Sequence, residues 1–323
     1  MKISFLSIVL SLSLNCFAQS PKPADVRPPG SPNPSAPQVE RLDPWRRATI
    51  ALGVVVQDGK DSKFVTTGSG VIVSVDAHYG CLLTAKHMVL DPNTGKATPR
   101  LWMRFPSPDG RAEEPIPLDL FDQQGRNLWR TSEDGGDLAV IPLPVQALVR
   151  LGTPVPSVPL SDFADPKDDV FQGAPVLVLG YPQIVGEQYL SSPIARGGIV
   201  AWVNPKDPAD EPFLVDANLY NGNSGGPVFR VRNGFDKYGN FMIGGGLVLL
   251  GIVSKGPLQT APIVSADGYV YHQNPATGAE NPEVAVVANV GGIGIIEPAS
   301  RARKLIKSVF PGVAQPSPST LRR

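Results

Sequence analysis

The chain has 323 residues, of which 42% are hydrophobic, so it is long enough to bury a core and general disorder is excluded. Its formal net charge is zero and its basic residues are dispersed, which excludes the concentrated positive surface of a nucleic-acid-binding protein. The 33 glycines and 35 prolines fall between short apolar runs, a pattern typical of many short strands joined by turns.

The first residues have the pattern of a secretory signal peptide, which we predict over residues 1–18. Lys2 supplies the positive end, an apolar stretch follows over residues 3–14, and small residues precede a cleavage point after Ala18. Cleavage after Ser20 is the alternative, but it would place a proline beside the cut. The apolar stretch is shorter than the roughly 20 residues that cross a bilayer, so no membrane anchor is expected after cleavage.

Residues 19–44 are rich in proline and serine and have no apolar period, so we predict a disordered linker there. A regulatory pro-segment is the alternative.

Removal of the signal peptide also removes Cys16 and leaves Cys81 as the single cysteine, which excludes an internal disulfide. Cys81 lies in a strand-like run, and we interpret it as a buried small hydrophobe and not as a nucleophile.

Short β-branched and aliphatic runs recur from Trp45 onward, each closed by glycine, proline or a short polar residue. They fall into two sets, separated by a proline-rich crossing over about 146–172. The sequence therefore predicts two all-β halves at about 48–145 and about 173–298. The predicted strands are Ile50 to Val56, Gly68 to Val75, Cys81 to Ala85, Leu101 to Phe105, Leu138 to Leu143, Pro175 to Tyr181, Gly197 to Val203, Phe213 to Val215, Pro227 to Val231, Leu247 to Ser254 and Glu283 to Val290.

Two stretches, residues 106–136 and 257–282, are studded with turn-forming residues, and we predict that both are loop-like insertions that shape access to a site. Near the end, residues 298–310 have the pattern of a short helix with one apolar face. The charged residues of its other face are interpreted as solvated: Arg301, Arg303, Lys304 and Lys307. Residues 311–323 are predicted to form a disordered tail.

The most specific motif is Asn221-Gly222-Asn223-Ser224-Gly225-Gly226-Pro227. Hydrolysis by serine requires a hydroxyl on a tight turn, beside backbone N–H groups that can hold an oxyanion. Glycine at 222 permits such a turn and a close approach of substrate. A glycine-rich β-turn without chemistry is the alternative interpretation.

A serine hydroxyl needs a neighbouring base, and the chain offers three histidines. His78 lies in a turn-like context and His272 lies in the second insertion. His87 follows the apolar run Cys81-Leu82-Leu83-Thr84-Ala85, so a strand end would present its imidazole at the rim of a barrel. We therefore select His87 as the base.

Asp137 is the predicted third member, because it leads into the strand Leu138-Ala139-Val140 and its carboxylate would be buried beside an imidazole. Asp134 is the competitor, and its glycine-broken context is more typical of a solvated turn. The order histidine, aspartate, serine matches the chymotrypsin-type order and differs from those of subtilisins and α/β-hydrolases.

The three segments Thr84-Ala85-Lys86-His87, Asp137-Leu138-Ala139-Val140 and Gly222-Asn223-Ser224-Gly225-Gly226-Pro227 resemble the histidine, aspartate and serine boxes of trypsin-like serine peptidases. Residues near 214–218, 251–256 and 292–298 are similar to the HtrA (Deg) branch of that family. The resemblance covers about residues 50–310. It implies an all-β fold of two six-stranded antiparallel Greek-key barrels with the active site in the cleft between them, within a peptidase domain over 45–310.

The resemblance also implies roles. Ser224 would attack the scissile carbonyl, His87 would carry its proton, Asp137 would orient His87, and the N–H groups of Gly222 and Ser224 would form the oxyanion hole. Substrate binding is expected at Asn218, near the floor of the primary specificity pocket, and at an edge that pairs with extended peptide, formed by Ser254, Lys255 and Gly256. Ser254 would in addition support the buried aspartate.

Two departures from the family pattern affect regulation. Asn223 stands where digestive members have an aspartate that binds a freed N-terminus, so activation by that salt bridge is not expected. Few residues follow the predicted helix, so the PDZ domain common in the HtrA branch is not expected either.

The sequence thus predicts a serine endopeptidase that acts on polypeptide substrates, exported to the periplasm or secreted, with a role in protein quality control implied by the resemblance. A peptide-binding pseudoenzyme and an esterase or acyltransferase are the alternatives, since the same machinery transfers acyl groups to different acceptors. No pattern of metal ligands or of phosphate-binding glycines occurs, so no metal and no cofactor are expected.

Overall fold

The computed structural model describes residues 42–312, with gaps at residues 60, 77, 108–112, 144–155, 209, 244–245, 256–257, 263, 266–267, 270, 274–279, 283 and 289–291. Side chains are described outside residue 58 and the segment 256–291. The predicted signal peptide, nearly all of the linker and residues 313–323 of the predicted tail lie outside the described part of the chain.

The first half forms one curled sheet of eight strands. Its order is β5-β4-β1-β2-β3-β7-β6, and β8 pairs in parallel with β2. The strands are β1 (Thr49–Asp58), β2 (Asp61–Ser74), β3 (Gly80–Ala85), β4 (Leu101–Arg104), β5 (Ile116–Leu118), β6 (Arg130–Thr131), β7 (Leu138–Leu143) and β8 (Val158–Pro159).

The sheet curls because β1 carries a bulge between Leu52 and Gly53, where the register with β2 shifts. Gly53 also allows close packing, since a Cβ there would lie 2.2 Å from the carbonyl oxygen of Val65. The concave side is filled by aliphatic and aromatic side chains from β1, β3, β4 and β7, including Leu52, Leu82 and Ile141.

The second half forms a closed six-stranded barrel in the order β10-β11-β22-β15-β12-β9. Closure pairs every strand with two neighbours, so the barrel has no free edge along its length. Its strands are β9 (Pro175–Gly180), β10 (Ile194–Trp202), β11 (Phe213–Asp216), β12 (Pro227–Val231), β15 (Leu247–Lys255) and β22 (Ile293–Pro298).

The predicted sixth strand of the second half, over residues 283–290, is wrong as a barrel strand. The barrel is closed by β22, which pairs with β11 and β15. The β-branched run at β21 (Val284–Ala288) pairs with β16 (Leu258–Pro262) outside the barrel. The glycines around Ile293 weakened the strand pattern, although Gly294 packs closely against Leu219, since a Cβ there would lie 2.3 Å from Leu219 Cδ1.

Neither predicted insertion is simply a loop. The first supplies β5 and β6 to the first sheet, and Leu118, Leu120 and Trp129 from it are buried in the core. The second contains two two-stranded pairs, β17 (Val264–Ser265) with β18 (Gly268–Tyr269) and β19 (Tyr271–Gln273) with β20 (Glu280–Pro282), together with β16, which pairs with β21 beyond the insertion. A further hairpin joins β13 (Gly234–Phe235) to β14 (Phe241–Met242). The turn-forming residues in both insertions separate short strands, and these strands still pair.

Helix is scarce, as predicted. The described part of the chain has α1 (Asp43–Ala48), α2 (Pro166–Asp169) and α3 (Ala299–Val309), with short 3-10 turns at Lys86–Met88, Leu160–Asp162 and Glu187–Tyr189. The apolar face of α3 joins one core cluster with β3 and β7 of the first sheet and with β12 and β15 of the barrel. This shared cluster holds the two halves together on the side of the molecule where α3 lies.

The charged face of α3 is not uniformly solvated. Lys304 and Lys307 are exposed, but the Arg301 side chain is 11% exposed and forms ion pairs with three carboxylates. Arg303 donates to the carbonyl oxygen of Phe163 and lies over its ring. Lys304, although exposed, pairs with Asp210, so three of the four charged residues make specific tertiary contacts. The two β halves and the short C-terminal helix confirm the predicted all-β, double-barrel fold class.

Candidate active site

His87 is presented by the end of β3. All six residues of β3 are buried, and the chain then turns through the 3-10 segment Lys86–Met88, which is closed by a hydrogen bond from Val89 N–H to the Lys86 carbonyl oxygen. The turn lifts the imidazole out of the sheet, where its side chain is 28% exposed. The other described histidine side chain, that of His78, is exposed on a turn, and the side chain of His272 lies outside the described residues.

Asp137 lies beside His87 because β7 runs antiparallel to β3, with Leu138 opposite Ala85. The imidazole Nδ1 is 2.8 Å from Asp137 Oδ2, and His87 N–H donates to Oδ1 at 3.1 Å. Lys86 N–H also donates to the Asp137 carbonyl oxygen. An ionised carboxylate only accepts hydrogen bonds, so this geometry assigns the proton to Nδ1 and leaves Nε2 free to act as a base.

The environment of Asp137 keeps its carboxyl ionised. Partial burial acts to raise its pKa, but the hydrogen bonds from His87 and Ser254 and the electrostatic attraction of the His87 ring outweigh this effect, so the pKa lies below its usual value. Ser254 Oγ, buried in β15 of the second barrel, donates to Asp137 Oδ2 at 2.6 Å. A residue of one barrel thus orients a carboxylate of the other.

Asp134, the competing aspartate, makes different contacts. Its carboxylate is exposed and accepts from Ser132 Oγ at 2.6 Å and from Gly136 N–H, with Arg301 3.4 Å away. These contacts lower the pKa of Asp134, the Ser132 hydrogen bond most strongly. None of them involves His87.

The serine motif forms a compact turn between β11 and β12. Asn223 N–H donates to the Tyr220 carbonyl oxygen, and Gly226 N–H donates to that of Asn223. Gly222 and Gly225 adopt left-handed backbone conformations, with φ of 93° and 81°. The side chain of Ser224 is part-exposed on this turn. Glycine is needed at these positions because a Cβ at either would overlap a neighbouring carbonyl oxygen.

Ser69 of β2, which sequence reasoning missed, binds this turn from the first sheet. It is fully buried; its N–H donates to the Ser224 carbonyl oxygen at 2.8 Å, and its Oγ donates to that of Gly222 at 2.7 Å. Ser69 Oγ also accepts from Tyr181 N–H. Gly68 and Gly70 flank Ser69 within a strand-like pattern. Glycine inside a strand often marks a place where another backbone approaches closely, so these two residues were the sequence signal for this contact.

With both carbonyl oxygens bound to Ser69, the N–H groups of Gly222 and Ser224 have no hydrogen-bond acceptor among the described residues. Free N–H groups on a serine turn are the arrangement that an oxyanion hole requires. Gly222 and Ser224 are also the two residues that the sequence predicted for the oxyanion hole.

The serine turn packs against the strand that carries His87. A Cβ on Gly225 would lie 2.2 Å from Thr84 Oγ1 and 3.1 Å from Ala85 N. Among the described residues, however, no hydrogen bond joins Ser224 Oγ to His87 Nε2. Catalytic hydrogen bonds are often long in the absence of substrate and tighten in the complex.

Asn223 points inward. It is 1% exposed, and neither its amide nitrogen nor its amide oxygen has a hydrogen-bond partner among the described residues. Its Oδ1 faces Gly180, where an added Cβ would lie 2.6 Å away.

The expected substrate residues lie at the ends of barrel strands. Asn218 is exposed after β11 and has a φ of 50°, the one left-handed non-glycine residue in the described part of the chain. Lys255 is exposed at the end of β15 and pairs with β22, while the pairing of β15 with β12 stops at Ile252. Gly256 lies outside the described residues. Their binding roles stay a prediction.

Gly222 offers a direct test of the oxyanion geometry. In Gly222→Ala the new Cβ would lie 2.2 Å from the Tyr181 carbonyl oxygen at a φ that disfavours alanine, so the turn must distort. We expect peptide turnover to fall about 10²- to 10³-fold, the usual cost of losing an oxyanion donor. Gly239→Ala is the matched control, since its φ is 86° but its Cβ would meet nothing within 4 Å. Equal turnover in the two folded variants would contradict this assignment.

Across the described segments, no group of three or more histidine, cysteine, aspartate or glutamate side chains is placed to hold a metal ion. Within the same segments, no helix is long and apolar enough to cross a membrane. Cys81 is fully buried, and burial strongly raises the pKa of its thiol.

A trypsin-like peptidase domain model matches residues 68–235, just over half of the chain, and this segment contains His87, Asp137 and Ser224. The fold is also similar to the serine endoprotease from Yersinia pestis, with 17% identity and a TM-score of 0.42, covering 84% of this chain and 66%, just under two thirds, of that chain. Rv3671c from M. tuberculosis H37Rv, in the inactive form of a serine-to-alanine mutant, is similar with 16% identity and a TM-score of 0.42, covering 90% of this chain and 100% of that chain. No curated protein matches the sequence. By the family model, the chain belongs to the trypsin-like peptidases, the family that its three boxes predicted.

Proposed function

We propose that the protein hydrolyses peptide bonds of polypeptide substrates through an acyl-enzyme intermediate, with His87, Asp137 and Ser224 as its triad. The observation that carries this proposal is the hydrogen-bonded chain from Ser254 Oγ to Asp137 Oδ2 to His87 Nδ1, located beside the serine turn. Family membership supports peptidase activity, and the contacts of these residues support the individual roles.

In this mechanism, Ser224 Oγ attacks the scissile carbonyl carbon while His87 Nε2 takes its proton. Asp137 stabilises the imidazolium, and the N–H groups of Gly222 and Ser224 hold the oxyanion of the tetrahedral intermediate. The imidazolium then protonates the leaving amine, and water releases the acyl group by the same sequence of steps. One side of Ser254 and Lys255 pairs with no strand among the described residues, which supports binding of extended peptide there as an added strand.

The export signal in the sequence supports action in the periplasm or outside the cell, and the sequence likeness to the HtrA branch supports a role in protein quality control. The location outside the cytoplasm and the role in quality control are both part of this proposal. An esterase built on this machinery would turn over esters but not peptides.

The test is labelling of purified mature protein with a fluorophosphonate, wild type against Ser224→Ala, with the labelled peptide mapped by mass spectrometry. We expect the label on Ser224 and no label in the variant, because only an activated serine reacts. A folded wild type that stays unlabelled would contradict the proposal. If the protein is labelled on Ser224 but cleaves esters and no peptide, the proposed function would be that of an esterase.

A further inference from the structure

A carboxylate outside the triad binds the backbone of Asp137. Glu297, at the end of β22 in the second barrel, accepts a hydrogen bond from Asp137 N–H through its Oε1 at 2.8 Å. The Glu297 side chain is only 6% exposed. A hydrogen bond to an ionised acceptor is roughly twice as strong as one between neutral groups, so this contact is a firm anchor for the start of β7.

The second oxygen of Glu297 is paired with Arg301, one turn further on in α3. The distance from Arg301 Nη1 to Glu297 Oε2 is 3.3 Å. Arg301 also lies 3.4 Å from Glu211 Oε1 and 3.4 Å from Asp134 Oδ2. A buried carboxylate without a cation would be costly, and the Arg301 guanidinium supplies that cation for Glu297.

These contacts enclose the segment that leads into Asp137. A Cβ on Gly136 would lie 3.1 Å from Asp134 Oδ1 and 3.1 Å from Glu297 Oε2, so the backbone passes closely between the two carboxylates. The Asp137 carbonyl oxygen is bound by Lys86 N–H on the other side. Asp137 is thus held at its backbone N–H, its backbone carbonyl and both carboxylate oxygens.

We propose that Glu297 and Arg301 are positioning residues for catalysis: Glu297 at the end of β22, held by Arg301 of α3, fixes the Asp137 backbone, so that the Asp137 carboxylate stays aligned with His87 Nδ1 and Ser254 Oγ. The inference rests on the proposed triad. Neither residue touches the reacting atoms. Its physical basis is that a displacement of about 1 Å in a catalytic constellation can cost about 10²-fold in rate.

The test compares Glu297→Leu, which removes the acceptor, with Glu297→Gln, which keeps an amide oxygen at a similar position. For the leucine variant we expect kcat to fall about 10- to 100-fold with KM within about twofold, because alignment matters in the transition state. The glutamine variant should recover to within about threefold of wild type, since it can still accept from Asp137 N–H. Lys304→Ala is the control, because Lys304 is exposed on the helix that carries Arg301 and, among the described residues, pairs only with Asp210.

A second readout does not depend on turnover. The His87 Nδ1 proton, bonded to a carboxylate, should give a downfield NMR resonance that shifts or broadens in Glu297→Leu and stays in place in Glu297→Gln and Lys304→Ala. If wild type proves unreactive toward the fluorophosphonate, the proposed function fails, and this resonance still decides the positioning role. Should Glu297→Leu not fold, Arg301→Gln takes its place, with an expected loss of about tenfold by the same misalignment. Unchanged kcat, labelling rate and resonance in the folded variant would overturn the inference.

Discussion

Replacing Ser224 by alanine should lower peptide turnover by about a millionfold while leaving the melting temperature close to that of wild type. The loss is large because attack, proton transfer and acyl-enzyme formation all require the hydroxyl, and no other described serine lies on the turn that carries the free N–H groups of Gly222 and Ser224. The fold should be unaffected, since the Ser224 backbone is held by Ser69 N–H through a carbonyl that alanine retains.

The measurement is kcat on a quenched fluorescent peptide library, with thermal unfolding followed in parallel. Ser161→Ala is the matched control, because Ser161 is exposed and its hydroxyl hydrogen-bonds, within the described part of the chain, only to Asp162. Turnover in Ser224→Ala within about tenfold of wild type would mean that another nucleophile acts, and the triad assignment would have to be abandoned.

Replacing Asp137 by asparagine should lower turnover by about 10⁴-fold at neutral pH. The amide has one accepting oxygen where the carboxylate has two, yet His87 Nδ1, His87 N–H and Ser254 Oγ all donate to Asp137. An amide N–H toward Nδ1 would favour the tautomer with its proton on Nε2, which cannot accept the proton of Ser224.

The lowered pKa of Asp137 also predicts how the stability difference between wild type and Asp137→Asn depends on pH. The folded pKa of Asp137 is depressed, so its ionised form contributes stability that is fully present above its unfolded pKa of about 4 and is lost as pH falls through the folded pKa. Any stability advantage of wild type over Asp137→Asn, measured by denaturant unfolding, should therefore shrink as pH is lowered below about 4. Asp91→Asn, at an exposed turn of the same half, is the activity control. A retained turnover in Asp137→Asn would contradict the assignment.

Two of the contacts that organise the site come from residues without any motif. Ser69 binds the serine turn from the first sheet, and Glu297 binds the Asp137 backbone from the end of the second barrel. Each is separated from its partner by more than 150 positions in sequence. One sequence alone does not identify such pairs, because no local pattern shows which distant residue a buried polar residue of a strand will contact.

Local chemistry determined what the sequence could reveal by itself. The strand Leu138–Leu143 and the strand Pro227–Val231 were predicted at their observed ends, since β-branched runs bounded by turn residues select a strand without tertiary help. The choice of Asp137 over Asp134 likewise depended on local context, because a carboxylate at the start of a buried strand differs from one in a glycine-broken turn. Its hydrogen bond to His87 agrees with that choice.

Only the tertiary structure decided which strands close the second barrel and which charges are buried. The run at 284–288 is a better strand by composition than Ile293–Pro298, but only the latter pairs with both β11 and β15. Arg301 has the sequence context of a solvated helix face, yet three carboxylates from separate segments surround it. In both cases the deciding free energy comes from contacts between residues distant in sequence, which periodicity and propensity do not encode.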